Sequence, residues 1–230
     1  MKYITPKIKR TADGSHTLFR DDLDEAYHSY HGALQESLHV FIREGWARVA
    51  HEQPSEIAVF ELGYGTGLNA YLTMAFAEAK GIPTVFRSIE KFPVHPDALR
   101  QLDYEMSEVL SPYAEIIDEV IGLSWDVLHD VSTHFKLEKI YGDILKYQGE
   151  KESCHVFYFD AFGLRAQSEL WDEKVFQIAY DLLKPGGILV TYASNGAARR
   201  AMIKVGFSVD RIPGAPGKRE MMRAEKPIVS

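Results

Sequence analysis

The chain has 230 residues, of which 46% are hydrophobic and 26% charged, and its formal net charge is −7. This length suits one sizeable α/β domain rather than two, and no apolar run approaches the ~18 residues that a membrane span requires. The first residues lack the apolar segment of a secretory signal, and Cys154, the only cysteine, leaves no intramolecular disulfide or cysteine-based zinc site. We therefore expect a cytoplasmic protein without a membrane partner.

The N-terminal residues are less regular than the rest of the chain. Asp13-Gly14-Ser15-His16 predicts a turn within a hairpin, and Gly32–Ala50 predicts an amphipathic helix. We interpret Met1–Ser55 as an extension packed on the same domain as residues 56–230. We expect no metal site, because metal-ligand spacing such as HExxH is absent and hydrogen-bonded histidines are far commoner, which applies to His28, His31, Glu36 and His39.

From Ile57 onward, short apolar segments alternate with helical patterns, which is typical of βαβ units. The predicted strands are Ile57–Leu62, Thr84–Glu90, Lys136–Tyr141, His155–Asp160 and Gly187–Ala193. The predicted helices are Leu68–Lys80, Pro96–Asp103, Ser168–Leu183 and Gly196–Val205. Pro185-Gly186-Gly187 predicts the end of a helix before a strand, and Gly206–Asp210 with Arg219–Ala224 predicts a late strand pair. The pattern predicts an α/β fold with a mostly parallel sheet and helices on both faces.

The strongest local motif is a glycine-rich segment, Phe60-Glu61-Leu62-Gly63-Tyr64-Gly65-Thr66-Gly67-Leu68-Asn69. Glycines let the backbone pass close to a ligand, and the N-terminus of the following helix offers N–H groups to an anion. Leu68 stands where a dinucleotide-binding motif requires its last glycine. The pattern instead resembles the first motif of the Rossmann-like class I S-adenosylmethionine-dependent methyltransferases. We predict cofactor contacts at Gly63, Tyr64, Gly65, Thr66, Gly67 and Asn69; a tight turn without a ligand is the alternative.

Three acidic residues follow predicted strands. Glu90 is placed to accept hydrogen bonds from both hydroxyls of a ribose, and the adjacent Lys91 is also a predicted cofactor contact. Asp143 suits an adenine amino group, with Ile144 against the ring, although a helix-capping role explains this aspartate equally well. Asp160 emerges at the end of an apolar strand, at the sheet edge where ligands bind in open α/β folds. It is our catalytic candidate, and a buried structural carboxylate is the alternative.

Several further sequence blocks are distributed over nearly the whole chain. They are Thr11–Ser15, Glu25–Ser29, Gly32–Ser37, His39–Phe41, Glu90–Pro93, Gly142–Ile144, Phe159–Phe162, Leu170-Trp171, Ser194–Gly196 with Arg199-Arg200, and Gly217–Met221. Together they resemble the methyltransferase domain of the MnmC family of tRNA wobble-uridine enzymes, and still more its stand-alone form, MnmD. The chain departs from the family where Leu164 and Ser168 replace prolines near the expected target base.

The resemblance implies S-adenosylmethionine as cofactor and the anticodon region of tRNA as partner. It implies N-methylation of the aminomethyl group of 5-aminomethyl-2-thiouridine at the wobble position. The flavin-dependent oxidase domain of bifunctional relatives makes that aminomethyl group. We expect this chain to perform only the methylation, with separate enzymes making the precursor.

The expected reaction assigns roles to residues beyond the cofactor loop. Asp160 would orient the substrate amine and stabilise the positive charge that develops on it. The wobble base must leave its stack, and Phe162 and Trp171 are candidates to receive it. Core packing explains these two aromatic side chains equally well.

The C-terminal segment is basic although the whole chain is acidic. Nine basic and three acidic residues lie between Lys184 and Ser230, a net charge of +6 that leaves −13 for the rest. This asymmetry predicts a local RNA-binding face, with contacts from Arg199, Arg200, Lys218 and Arg219. An ion pair between Arg219 and Glu220 is a competing, purely structural interpretation. The alternative functions are methylation of a small molecule or protein, or RNA binding without catalysis.

Overall fold

A twisted sheet forms the centre of the computed structural model, which describes residues 1–12, 14–30 and 32–228 with the side chain of Glu105 excepted. Within these residues the sheet has eight strands in the order β10-β11-β9-β8-β4-β5-β7-β6. The five middle strands are parallel, and β11, β10 and β6 join through antiparallel pairs. The strands are β4 Ile57–Leu62, β5 Thr84–Glu90, β6 Leu128–Ser132, β7 Phe135–Tyr141, β8 Cys154–Phe159, β9 Leu183–Thr191, β10 Ser208–Pro213 and β11 Glu220–Glu225.

Helices cover both faces of this sheet because alternate side chains of each central strand point to opposite sides. Ile57 and Val59 of β4 pack in one hydrophobic cluster, and Ala58 and Phe60 pack in the other. The helices are α1 Ala33–Ser37, α2 Ala47–Ala50, α3 Leu68–Lys80, α4 Pro96–Leu99, α5 Ala114–Gly122, α6 Glu173–Leu182 and α7 Gly196–Val205. The predicted Rossmann-like α/β fold is confirmed.

The N-terminal residues form a second, small sheet and a long helical segment. The small sheet contains β1 Lys7–Arg10, β2 His16–Arg20 and β3 Glu25–Ala26. A π-helical stretch, Leu38–Trp46, joins α1 to α2. Leu18 and Phe41 lie in the same hydrophobic cluster as the central strands. The division of the chain after residue 55 stays a prediction.

The structure confirms several predicted elements and corrects others. The bounds predicted for β4, β5, α3 and α7 agree with the structure. The helix predicted over Ser168–Leu183 is broken, because the side chain of Asp172 accepts from the Lys174 N–H at 2.9 Å and starts α6 there. Pro185-Gly186-Gly187 does not separate helix from strand but lies inside β9, where the pairing with β8 shifts register.

Two features of the N-terminal prediction lie partly outside the described residues. The predicted turn falls between β1 and β2, whose pairing ends at Arg10 and His16, but Asp13 is not described. His31 of the rejected metal interpretation is also not described. No helix among the described residues combines the length and apolar character that a bilayer span requires.

Candidate functional site

A cavity of about 550 Å³ lies at the carboxyl ends of the parallel strands. Strand β4 pairs with β5 on one side and β8 on the other, so the chain order reverses at this point of the sheet. Ligands of open α/β sheets bind at such switch points, and the volume is in the range of small-molecule sites. Most predicted site residues line the cavity, namely Gly63, Tyr64, Gly65, Thr66, Asn69, Glu90, Lys91, Asp143, Ile144, Asp160, Phe162 and Lys218.

The glycine loop after β4 is shaped by close contacts with its own protein. Gly63 has a φ of 97°, and a Cβ there would lie 2.5 Å from the carbonyl oxygen of Asp160. At Gly65 a Cβ would lie 3.0 Å from the ring of Tyr27. Gly67, the N-cap of α3, is not on the cavity wall, and a Cβ there would lie 2.7 Å from the Tyr71 ring. The glycines therefore let the loop pack tightly beneath the cavity.

A buried carboxylate cluster lies behind this loop. The Nδ2 group of Asn69 donates to Glu61 Oε1 at 2.9 Å and to Asp160 Oδ2 at 2.8 Å, and Ser88 donates to Glu61 Oε2 at 2.6 Å. Burial raises the pKa of Glu61 well above its usual range. Burial and the nearby Glu36 carboxylate raise the pKa of Asp160 to about 7. The catalytic candidate thus has a proton affinity suited to proton transfer near neutral pH.

Glu90 is held at the end of β5 by backbone donors. Its Oε2 accepts from the Gly65 N–H at 3.1 Å, and its Oε1 accepts from the Phe92 N–H at 2.7 Å. Burial raises the pKa of Glu90, and these two hydrogen bonds partly oppose that effect. Each carboxylate oxygen retains acceptor capacity, as the predicted contact with two ribose hydroxyls requires.

Asp143 caps a short turn at the edge of the cavity. Its Oδ1 accepts from the Leu145 N–H at 3.0 Å and caps a short 3-10 turn, Ile144–Lys146. Its Oδ2 lies 2.9 Å from Lys91 Nζ. Burial acts to raise the pKa of Asp143, but the Lys91 and Leu145 donors outweigh it and lower the value. The capping role is therefore present, and the adenine contact stays a prediction.

The wall opposite the sheet comes from the N-terminal segment, whose part in the site the sequence analysis missed. Tyr27 packs edge-on against the ring of Phe162, with centroids 4.8 Å apart. The family blocks include these positions, but periodicity gives no signal that β2 and β3 fold over the strand ends. This segment contributes Lys9, Phe19, Arg20, Asp24, Glu25, Ala26, Tyr27, His28, Ser29, Tyr30 and Glu36 to the cavity lining.

Lys218 lies in the wall of the cavity. Its ammonium donates to Glu36 Oε1 and lies 3.9 Å from the centroid of the Tyr192 ring. The hydroxyl of Tyr192 donates to the Ala161 carbonyl at 2.8 Å. The Lys218 side chain is thus paired with the Glu36 carboxylate, and its predicted contact with an RNA phosphate stays a prediction.

The other predicted substrate residues do not line the cavity. Trp171 is buried against Phe159, and its indole N–H donates to the Phe162 carbonyl at 2.8 Å, so it supports the cavity wall instead of forming it. Arg199 and Arg200 lie on the first turns of α7.

More than half of the basic residues in the C-terminal segment lie in ion pairs. Five of its nine basic residues are engaged with acidic side chains: Lys204, Arg211, Lys218, Arg223 and Lys226. Glu220 lies 3.9 Å from Arg211 among the described ion pairs, so the predicted alternative pair of Glu220 with Arg219 is corrected. Arg219 itself is exposed.

Two curated proteins of the same name are similar to this chain over most of its length. The bifunctional protein MnmC of Aeromonas salmonicida, named for tRNA 5-methylaminomethyl-2-thiouridine biosynthesis, is 29% identical over 225 residues, covering 89% of this chain and 33% of the relative. The protein of the same name from Cupriavidus necator is 32% identical over 205 residues, covering 86% of this chain and 31% of the relative. The chain therefore spans about a third of the length of these curated relatives.

A solved structure and a family model complete the comparison. The crystal structure of MnmC2 from Aquifex aeolicus has a TM-score of 0.76 and 23% identity, covering 98% of this chain and 73% of that one. This similarity concerns the fold. A family model described as S-adenosyl-L-methionine-dependent methyltransferase matches residues 113–227, half of the chain. The chain belongs to this family of S-adenosyl-L-methionine-dependent methyltransferases.

Proposed function

We propose that this chain N-methylates the aminomethyl group of 5-aminomethyl-2-thiouridine at the wobble position of tRNA. The observation that carries the proposal is the excess of acidic side chains, Asp160 among them, in the lining of the cavity. The described lining has seven carboxyl groups and four cationic side chains, a formal charge balance of −3 when every group is ionised. The carboxylates are Asp24, Glu25, Glu36, Glu90, Asp143, Asp160 and Glu169, and the cations are Lys9, Arg20, Lys91 and Lys218.

The residues present fit the family's cofactor. Asn69 lines the cavity, and its Oδ1 atom is a buried acceptor without a hydrogen-bond partner among the described residues. The glycine loop and Asn69 would hold the methionine part, Glu90 the ribose, and Asp143 with Ile144 the adenine. When bound, S-adenosylmethionine supplies an electrophilic methyl group on a cationic sulfur.

The chain's own residues prepare the substrate amine. The amine must be neutral to act as a nucleophile, and it becomes cationic as it is methylated. Asp160 is placed to orient the amine, to stabilise the developing charge and to accept the proton that the product loses. Asn69 fixes the Asp160 carboxylate by the 2.8 Å hydrogen bond to Oδ2. The acidic lining favours an amino substrate over an anionic one.

Aromatic side chains near Asp160 offer surfaces for an extruded base. Tyr27, Phe162 and Tyr192 line the cavity. Nucleobases that leave a stack commonly bind between aromatic side chains. Anticodon-region tRNA is therefore the proposed partner, with separate enzymes supplying the aminomethyl precursor. The names of the MnmC relatives support this choice of substrate over a small molecule or protein.

The test is incubation of the protein with methyl-labelled S-adenosylmethionine and tRNA that carries 5-aminomethyl-2-thiouridine. Mass spectrometry of the nucleosides should show labelled 5-methylaminomethyl-2-thiouridine. Asp160→Asn should reduce single-turnover methylation by about 10²–10³-fold, as for loss of one well-placed electrostatic group. Asp130→Asn, at an aspartate 79% exposed on β6, is the matched control and should keep the wild-type rate.

Other outcomes distinguish the alternatives. Label that appears only in a small molecule or protein would contradict the tRNA proposal while preserving the methyltransferase. Binding of tRNA without any methyl transfer would favour the silent RNA-binding module. A full rate in Asp160→Asn would make Asp160 structural and leave the substrate assignment intact.

A further inference from the structure

One ion pair closes the cavity between two segments far apart in the chain. Glu36 lies on α1, and Lys218 lies in the turn between β10 and β11, 182 residues later. Their side chains are 8% and 31% exposed. Both line the cavity that contains Asp160. The pair is therefore partly buried, in contrast to fully exposed pairs, which contribute little to stability.

Each partner of the pair is held in place by its own segment. Glu36 Oε2 accepts from the Ser29 N–H at 2.8 Å, while its Oε1 accepts from Lys218. The Lys218 N–H donates to the Ala215 carbonyl at 2.8 Å, and Ala215 is buried in the main hydrophobic cluster. The Tyr192 ring contacts the Lys218 ammonium from another side. The pair therefore has a fixed position relative to the sheet.

Charged and titratable groups face Asp160 from every element around it. Glu36 raises and Lys218 lowers the pKa of the Asp160 carboxyl, and the Asn69 hydrogen bond lowers it as well. The remaining groups are Glu61 on β4, Glu90 on β5 and Tyr192 after β9. Burial is the largest influence, so the surrounding charges act at low dielectric, where their effects are strong.

We propose that Glu36 and Lys218 form a positioning pair that sets the charge state of Asp160 and thereby the pH range of methyl transfer. Glu36 alone would keep Asp160 protonated by repulsion between two carboxylates in one cavity. Lys218 alone would keep Asp160 ionised and weaken it as a proton acceptor. With both partners present, the Asp160 carboxylate can accept the proton that the methylated amine loses. The inference rests on the proposed role of Asp160 in amine methylation.

The test measures the titration midpoint of Asp160 and the rate profile separately. Isotopically labelled aspartate gives a carboxyl NMR titration, in which the Asp160 signal is assigned by its loss in Asp160→Asn. Glu36→Gln should lower the midpoint and Lys218→Met should raise it, each by about one pH unit. Lys218→Arg, which keeps the charge, should restore the wild-type midpoint. The pH profile of single-turnover methylation should move in the same directions.

A surface ion pair provides the matched control. Lys204 lies 2.8 Å from Glu173, and its side chain is 70% exposed. Lys204→Met should leave the Asp160 midpoint unchanged. A lowered melting temperature in Glu36→Gln and Lys218→Met with no movement of the midpoint would mean that the pair only fastens the two segments, and would overturn the proposal. If Glu36→Gln does not fold, Lys218→Met and Lys218→Arg decide the question by themselves.

The NMR readout separates this inference from the proposed function. A midpoint that moves as expected while the rate profile stays fixed supports the electrostatic action of the pair and refutes the catalytic role of Asp160. An unchanged Asp160 midpoint in both Glu36→Gln and Lys218→Met would refute the proposed action of the pair on Asp160, even when tRNA methylation is demonstrated.

Discussion

Replacing Asp160 by asparagine should stabilise the protein at neutral pH. Asparagine has nearly the same shape, and its Oδ1 can still accept from Asn69, which donates to Asp160 at 2.8 Å. The substitution therefore removes the ionisable proton with little change in packing. Residues of an active site often lower the folding stability of the protein because they are needed for its activity.

The magnitude follows from the raised pKa of Asp160. The value rises from 3.8 to about 7, chiefly through burial and repulsion by Glu36. At about 1.4 kcal/mol for each tenfold change in proton affinity, ionisation costs at most about 4 kcal/mol of folding free energy. The native state binds more protons than the unfolded state between these values. The stability that the protonated Asp160 carboxyl contributes is therefore fully present below its pKa in the unfolded state. It is lost as the pH rises through the pKa in the folded state.

Urea unfolding of wild type and Asp160→Asn measures the effect. The free energy of unfolding of the variant, relative to wild type, should increase by about 2 kcal/mol between about pH 5.5 and about pH 8. Asp130→Asn serves as the control for an exposed aspartate. If the difference in the free energy of unfolding between wild type and Asp160→Asn does not change with pH, the reasoning is refuted. Asp160 would then have the same pKa in the folded and the unfolded state.

Two further predictions concern the glycine loop and the RNA. Gly63→Ala should lower stability by about 2 kcal/mol and abolish cofactor binding by calorimetry, because its Cβ would lie 2.5 Å from a backbone oxygen. At Gly122, which does not line the cavity, the nearest atom to a new Cβ is 4.0 Å away, so Gly122→Ala should be nearly neutral, and equal losses at both glycines would contradict the steric argument. Arg199→Ala with Arg200→Ala should reduce the salt slope of tRNA affinity by about 0.7 for each lost phosphate contact on a single-stranded target. An unchanged slope, with cofactor affinity also unchanged, would place the RNA elsewhere.

Local patterns in the sequence predicted the centre of the fold. Apolar runs and glycine spacing predict β4, the glycine loop and α3, because these three elements follow one another in the chain. Glu90 and Asp160 were predictable as neighbours because parallel strands bring their carboxyl ends to one edge. Helix caps were harder to predict: Asp172 begins α6, whereas periodicity alone predicts one helix that extends across this residue.

Only the tertiary structure decided how distant segments complete the cavity. The positive excess from Lys184 onward predicted a basic face, but folding pairs four of the nine basic residues with acids outside the segment, because an ion pair depends on distance in space rather than in sequence. Lys218 is the clearest case, since its partner Glu36 lies 182 residues earlier. Likewise, no local pattern places Tyr27 opposite Phe162, since that contact arises from the packing of the small N-terminal sheet over the strand ends. Sequence by itself thus determined the fold and the loop at its centre, and long-range packing determined the walls and the charge of the site.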